Sequence, residues 1–401
     1  MTAMVIIGAG ECGTRAAFEL REQGWQGAIV LISAEPGMPY ERPPLSKPTS
    51  DGVCHRPVCD DTALRAAGIE YLGGVDVEAL DRVHRCVRLA DGRSVAYGKV
   101  LLATGARPRP MRCPGGDRAL TFRTLTDAET LYRRTAHVRH VAIIGAGLIG
   151  MELAATMRAT GIDVTVIEAA PRPLGRAVPE ALAARLYARH CDAGVCFRFN
   201  ANVSSIRGDV IVLSDGKTVD ADVVVAAIGV LPETSLAERA GLDVDNGIVV
   251  DARLATSDPN VFAAGDCARV PSRYANGVPL RLESWRNARE QGAHAARTML
   301  DDAAGFDAVP WFWSDQYDLG LQVVGIPVPG QRNVVRRLSS DAELLFQLAD
   351  DGSVRSASGL GVGNGVARDI KLAEMLITRG VRTSSEVLQD PDTNLKSLIR
   401  Q

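Results

Sequence analysis

Gly8, Gly10 and Gly13 stand in the array Gly-x-Gly-x-x-Gly, and Gly145, Gly147 and Gly150 repeat it further along the chain. In such an array each glycine has its own task. The first makes a tight turn, the second lets the backbone approach a pyrophosphate, and the third lets the helix pack closely on the strand. Unpaired N–H groups and the dipole at the helix N-terminus then hold the anion. An acidic residue follows each array: Glu35 comes 22 residues after Gly13, and Glu168 comes 18 residues after Gly150. A carboxylate at this spacing accepts hydrogen bonds from ribose hydroxyls. It favours a free 2′-hydroxyl and repels a 2′-phosphate, so Glu168 points to NADH rather than NADPH. Arg172 and Arg176 follow closely and would weaken that preference if they face the ribose; Arg176 is counted among the NADH-side residues. Two arrays imply two dinucleotides. A flavin beside a nicotinamide is a productive pair, because a flavin accepts a hydride and releases single electrons.

The elements that must hold these residues share one grammar, used twice. A strand over residues 4–7, the first glycine turn, a helix over 14–23 and a strand over 28–33 form one βαβ unit. Near Val141 come a strand (VAIIG), the second turn, a helix to about residue 160 and a strand (VTVIE), a duplication of that unit. The apolar runs 99–105 and 222–229 each end in glycine and read as buried strands that close each fold; Gly229 joins the NADH-side residues. Residues 261–266 read as one more strand, and about 284–300 as a helix. After Pro310 the texture changes to short strands with Gly and Pro turns, then a polar helical tail. The expected fold is α/β, with two Rossmann-like dinucleotide-binding domains and a C-terminal α+β domain. The expected limits are 1–110 with 236–309 for the first nucleotide-binding domain, 111–235 for the second, NADH-binding one, and 310–401 for the C-terminal domain.

The bulk properties fit this reading. A chain of 401 residues divides into two or three domains. A net charge of −3 argues against nucleic-acid binding. The apolar runs are too short to span a membrane. Residues 1–7 lead straight into the glycine turn, which leaves no room for a signal peptide, so the cytoplasm is expected. Eight scattered cysteines read as unpaired thiols, although Cys54/Cys59 and Cys191/Cys196 share a C-x4-C spacing.

The run Pro39-Tyr40-Glu41-Arg42-Pro43-Pro44-Leu45-Ser46-Lys47 resembles the PY-x-RPPLSK segment of ferredoxin reductases that serve bacterial aromatic-ring dioxygenases and cytochromes P450. Ala103-Thr104-Gly105, Phe122-Arg123-Thr124-Leu125, Gly150 to Ala154, Thr256 to Asp266, Glu283-Ser284-Trp285 and Trp311 to Gln316 extend the likeness in order. The resemblance implies a glutathione reductase-like architecture that binds FAD on the first nucleotide-binding domain and NADH on the second. It places Ala103, Thr104, Gly105 and Asp266 at the FAD, Asp266 on the ribityl chain. Arg42 would lie toward the pyrophosphate, Arg123 on the diphosphate and Lys47 near the isoalloxazine. Glu152 would pair with Lys47, these two being the catalytic candidates, and the helix beginning at Trp285 would face the flavin pyrimidine edge.

The wider superfamily includes disulfide reductases with a redox C-x4-C on a helix. Here Pro57 lies between Cys54 and Cys59, which breaks a helix, and Leu45-Ser46-Lys47 stands where a flavin-facing cysteine would fall. The His-x4-Glu pair of those enzymes is also missing: His294 is followed by Met299. The expected activity is therefore hydride transfer from NADH to FAD, then single electrons to a 2Fe–2S ferredoxin, Rieske-type or plant-type, that feeds an oxygenase in aromatic hydrocarbon catabolism. No metal or catalytic triad is expected, and the state expected is a monomer or weak homodimer. Docking is expected near Trp311, Trp313 and Arg281, Arg286 and Arg289, since local basic charge steers acidic partners. Two other readings remain open: an NADH oxidase with O₂ as acceptor, and a redox-sensing protein of the apoptosis-inducing-factor kind.

Overall fold

A computed structural model describes residues 3–49, 52–175 and 177–400. Two compact units emerge: Met1–Pro43 with His55–Arg107 and Val230–Ala308, and Pro44–Cys54 with Pro108–Gly229 and Val309–Gln401. The short stretch around Lys47 thus belongs with the second nucleotide fold, as does the C-terminal sheet.

In the first unit the strand Ala3–Ile7 lies between Ile29–Ser33 and Ser94–Leu102, parallel to both. Ile69–Gly73 extends the sheet beyond Ile29–Ser33, and Val261–Ala263 pairs with Ser94–Leu102. Ala3–Ile7, Ile29–Ser33 and the end of Ser94–Leu102 are near-continuous apolar runs because both faces of the sheet are covered there. One cover is the pair of helices Glu11–Glu22 and Trp285–Met299. They approach so closely that a Cβ on Gly292 would sit 2.2 Å from the Cys12 carbonyl oxygen.

The second unit repeats this order. Its parallel sheet runs Cys196–Arg198, Asp163–Ile167, His140–Ile144, Val223–Ala226. In both sheets the strand before the glycine turn has the next strand of its βαβ unit on one side and the closing strand on the other. Such a reversal leaves a crevice at the carboxyl ends of the strands, where nucleotides bind. The C-terminal part of this unit is an antiparallel sheet in the order Trp311–Gln316, Leu319–Gly325, Val354–Val362, Glu343–Leu348, Val334–Arg337. The helix Ala367–Thr378 packs on it through Ile370, Ala373, Leu376 and Ile377.

Several boundaries differ from the sequence reading; the closing strand of the first fold, expected over 99–105, runs Ser94–Leu102 and leaves 103–105 as a turn. The first helix starts at Glu11 rather than 14, because the glycine turn itself enters the helix with Gly10 as N-cap. The closing strand of the second fold stops at Ala226, which leaves 227–229 as a turn. The strand from Val261 ends at Ala263, and Asp266 lies in the tight turn Gly265–Cys267.

Candidate active site

The two glycine loops are built alike. A Cβ on Gly8 would lie 2.2 Å from the Ala103 carbonyl oxygen, and one on Gly145 2.5 Å from that of Ala227. A Cβ on Gly13 would lie 1.8 Å from the Gly8 carbonyl oxygen, and one on Gly150 2.0 Å from that of Gly145. Only glycine fits at these four places. Gly10 and Gly147, in contrast, have nothing within 4 Å of an added Cβ. Open space at the middle glycine, with closed packing at the outer two, is the cradle a pyrophosphate requires. The Ala103-Thr104-Gly105 turn therefore packs directly on the first loop, and Ala227-Ile228-Gly229 does the same for the second. Thr104 donates its hydroxyl to the Glu233 carbonyl at 2.6 Å, which fixes that turn.

Beside the first loop, Glu35 accepts the Tyr40 hydroxyl at 2.5 Å and the Arg42 guanidinium at 2.7 Å. Arg42 is thus held on the Glu35 carboxylate, a partner the sequence does not suggest. Trp285 begins its helix, whose N-cap is Ser284. The Arg289 guanidinium lies 5.4 Å from the Trp285 ring centroid and 3.3 Å from the Glu11 carboxylate. Glu11 stands inside the glycine loop. Burial pushes its pKa up, and Arg289 works against that shift.

In the second unit Glu168 accepts the backbone N–H groups of Ala146 at 2.7 Å and Ala170 at 2.8 Å, so its carboxylate stands at the glycine loop. Arg172 turns its guanidinium onto its own loop, with the Pro173, Gly175 and Val178 carbonyls at 3.4, 3.2 and 3.5 Å. Arg176 lies outside the described residues. Arg123 precedes the capping box of the Leu125–Thr135 helix, and its backbone N–H donates to Asp127 at 3.0 Å.

Lys47 and Glu152 come together here. Glu152 lies just past the first turn of the helix Leu148–Ala159 and is 7% exposed. The Ser46 hydroxyl donates to its Oε2 at 2.6 Å, and the Ser314 hydroxyl donates to its Oε1 at 2.6 Å. Lys47 Nζ is 3.9 Å from Oε2 and 3.4 Å from Asp315 Oδ2. Burial raises the Glu152 pKa, and Lys47 and the two serine hydroxyls pull it back. The 45–47 stretch is pinned from two helices. Tyr132 donates its hydroxyl to the Leu45 carbonyl at 2.9 Å, and Thr156 to that of Ser46 at 2.7 Å. Pro43 and Pro44 open the tight turn that presents these residues, since proline fixes φ in advance.

Ser46, Ser314 and Asp315 sit inside the motifs quoted above, which gave them no role. A signal for them exists in the alternation of the strand Trp311–Gln316. Ser314 and Gln316 are buried while Asp315 points out, and two polar residues on an inward face require a polar partner there.

All eight cysteines are free thiols. Residues 54–59 form no helix; the chain pairs with 39–41 through Val58 N–H to the Pro39 carbonyl and Glu41 N–H to that of Arg56. Burial pushes the Cys59 thiol up to about 11, the opposite of an activated redox thiolate. The basic cluster expected to steer docking is compensated internally. Arg281 pairs with Glu283 at 2.6 Å, Arg286 with Glu290 at 2.7 Å, and Arg289 with Glu11. Trp311 and Trp313 stack at 5.3 Å on the edge strand of their sheet. Among the described residues no helix is long and apolar enough to cross a membrane.

The chain belongs to the pyridine nucleotide-disulphide oxidoreductase family, whose model matches residues 2–292, and residues 311–399 match the reductase C-terminal domain. Among its relatives is the ferredoxin–NAD(+) reductase component of the anthranilate 1,2-dioxygenase system of Burkholderia cepacia, 40% identical over 98% of each chain. The crystal structure of the ferredoxin reductase for the CYP199A2 system from Rhodopseudomonas palustris superposes with a TM-score of 0.94 at 34% identity, over 99% of each chain. The covalent putidaredoxin reductase–putidaredoxin complex gives 0.92 at 34% identity, over 100% of this chain and 98% of that one.

Proposed function

We propose that this chain is an NADH-dependent ferredoxin reductase that passes electrons to a 2Fe–2S ferredoxin, Rieske-type or plant-type, serving an oxygenase. The observation that carries this reading is the buried Glu152, clamped by Ser46 and Ser314 and facing Lys47, which itself stands in the stretch where a disulfide reductase would carry a reactive cysteine. Bound FAD supplies the capacity to take a hydride and to release electrons singly. The glycine loop at Gly8, Gly10 and Gly13 and the carboxylate of Glu35, bridged to Arg42, hold that group. The loop at Gly145, Gly147 and Gly150 holds the nicotinamide cofactor. Glu168 selects the 2′-hydroxyl form, and Arg172 is turned away.

Lys47 gives the site a fixed cation where negative charge develops, and Glu152 prevents it from swinging into solvent. Asp315 shares the lysine, but an exposed pair of this kind contributes little to stability. Leu45, Ser46 and Lys47 stand where a disulfide reductase would carry its reactive thiol, so bound FAD would itself supply the electrons to an external carrier. The stacked Trp311 and Trp313 offer the apolar ground for docking. The named relatives act with such carriers, which supports the same class of partner here.

The test is an anaerobic NADH titration of the purified chain. One equivalent should bleach the flavin, with slow turnover in air, and an added 2Fe–2S ferredoxin should raise turnover at least tenfold. Rapid formation of H₂O₂ or water with no carrier would instead establish an oxidase.

A further inference from the structure

A buried hydrogen-bonded chain leads away from Glu152 into the interior of its unit. Ser314 Oγ lies 2.6 Å from Glu152 Oε1, and Gln316 Nε2 lies 3.1 Å from Ser314 Oγ. His190 Nε2 is 3.0 Å from Gln316 Oε1, and the Tyr317 hydroxyl is 3.4 Å from His190 Nδ1. His190, Gln316 and Ser314 are at most 1% exposed, so bulk solvent does not reach them.

Each link has few protons to give. A serine hydroxyl donates once, a neutral imidazole donates once, and an amide donates only from nitrogen. The direction chosen at one end therefore dictates the direction at every link. If Glu152 is ionised it only accepts, so Ser314 must donate to it. Ser314 then accepts from the Gln316 N–H, and the Gln316 carbonyl accepts from His190 Nε2–H. The His190 Nδ1 lone pair is left to accept the Tyr317 O–H. The reverse polarity needs a protonated Glu152, a reversed amide and a proton on His190 Nδ1.

The surroundings decide between the two. Glu152 Oε2 also receives the Ser46 hydroxyl, and Lys47 stands beside it, so two donors and a cation favour the anion against its burial. Asp315 and Tyr132 are the other titratable groups that act on Glu152. His190 faces Arg189, Gln316, Tyr317 and Phe197. Burial and the neighbouring Arg189 hold its pKa at about 4, so the ring is neutral and free to serve as a one-proton link.

We infer that His190, as its Nε2–H tautomer, is a positioning residue that polarises this chain toward Glu152 and so keeps the carboxylate ionised and aimed at Lys47. The inference rests on the reading of Lys47 and Glu152 given above. Hydrogen bonds that point one way strengthen one another, so His190 acts on Glu152 through two intervening side chains.

The experiment is long-range ¹H–¹⁵N correlation on FAD-loaded full chain with ¹⁵N-labelled histidine. The chain has 6 histidines, and a spectrum of His190→Asn identifies the signal by its loss. The expected result is a neutral Nε2–H ring at neutral pH; an Nδ1–H ring or an imidazolium overturns the inference. In Glu152→Ala the acceptor is gone, and His190 should relax to a mixture of tautomers. An unchanged signal there would also overturn it.

A kinetic arm separates positioning from packing. His190→Phe should slow flavin reduction by NADH about tenfold with FAD content intact, the upper end of what one neutral hydrogen bond contributes. His190→Gln, which keeps an N–H donor, should recover most of that loss; equal losses in both would mark mere packing and refute the role. Wild-type kinetics in Glu152→Gln would defeat the functional reading while leaving the tautomer result standing, so the two failures are distinguishable.

Discussion

Arg15 and Glu152 occupy the same place in the two nucleotide folds, each two residues beyond the last glycine of its loop. The backbone around them is alike, from strand order to the contacts that exclude a side chain at the outer glycines. Yet Arg15 reaches along its own helix to Glu22 at 2.6 Å and to Glu19, while Glu152 is sealed under two serine hydroxyls opposite a lysine. The βαβ unit therefore supplies an anion cradle and nothing more. Chemistry appears where something else packs on the helix after the loop: the proline-opened turn at 43–46 and the strand Trp311–Gln316.

The comparison can be broken most sharply at the shared feature. Gly10→Val and Gly147→Val fill equivalent open spaces, so equal geometry should give unequal losses. The first should leave the purified chain with less than roughly a tenth of its FAD, read by absorbance. The second should keep FAD but weaken NADH binding by about a hundredfold or more, read by titration. Loss of FAD in both would mean that the loops are not specialised.

The next effect lies in the interior of the second unit. His190 has an ordinary pKa near 6.5 when unfolded, and it is held at about 4 when folded. The unfolded chain then binds the extra proton between these values. Stability is full above about pH 6.5, falls as pH drops toward about 4, and loses about 3 kcal/mol in all. Urea midpoints measured against pH should show this slope in the native chain and a shallower one in His190→Phe. Parallel slopes would remove His190 from the account.

Smaller effects follow at the ribose ends and the helix surface. Glu168→Gln should reduce the preference for NADH over NADPH about tenfold in steady-state kcat/KM, since the charge that repels a 2′-phosphate is gone. Arg15→Ala should lower stability by about 1 kcal/mol, since it removes one donor from the buried Glu19 while Arg297 and Gln23 remain bonded to it; chemical denaturation reads the change.

The duplicated strand, turn and helix are legible in the sequence because glycine spacing and apolar period are local properties. That Lys47 and Glu152 meet is not local. They are 105 residues apart, and only the resemblance of the PYERPPLSK segment puts them together. The clamp itself escaped that reading, because Ser46 and Ser314 look like ordinary motif serines until the strand register shows which face is buried. Arginines were the least legible. Arg172 and the three at 281, 286 and 289 each find a partner on their own loop, helix or unit, and such choices depend on rotamers rather than on spacing.

The most direct measurement is anaerobic stopped-flow reduction of the FAD-loaded chain by NADH, in native protein, Glu152→Gln and Arg15→Gln. The account predicts bleaching at least about tenfold slower in Glu152→Gln with FAD content unchanged, and native rates in Arg15→Gln. Native rates in Glu152→Gln would contradict it.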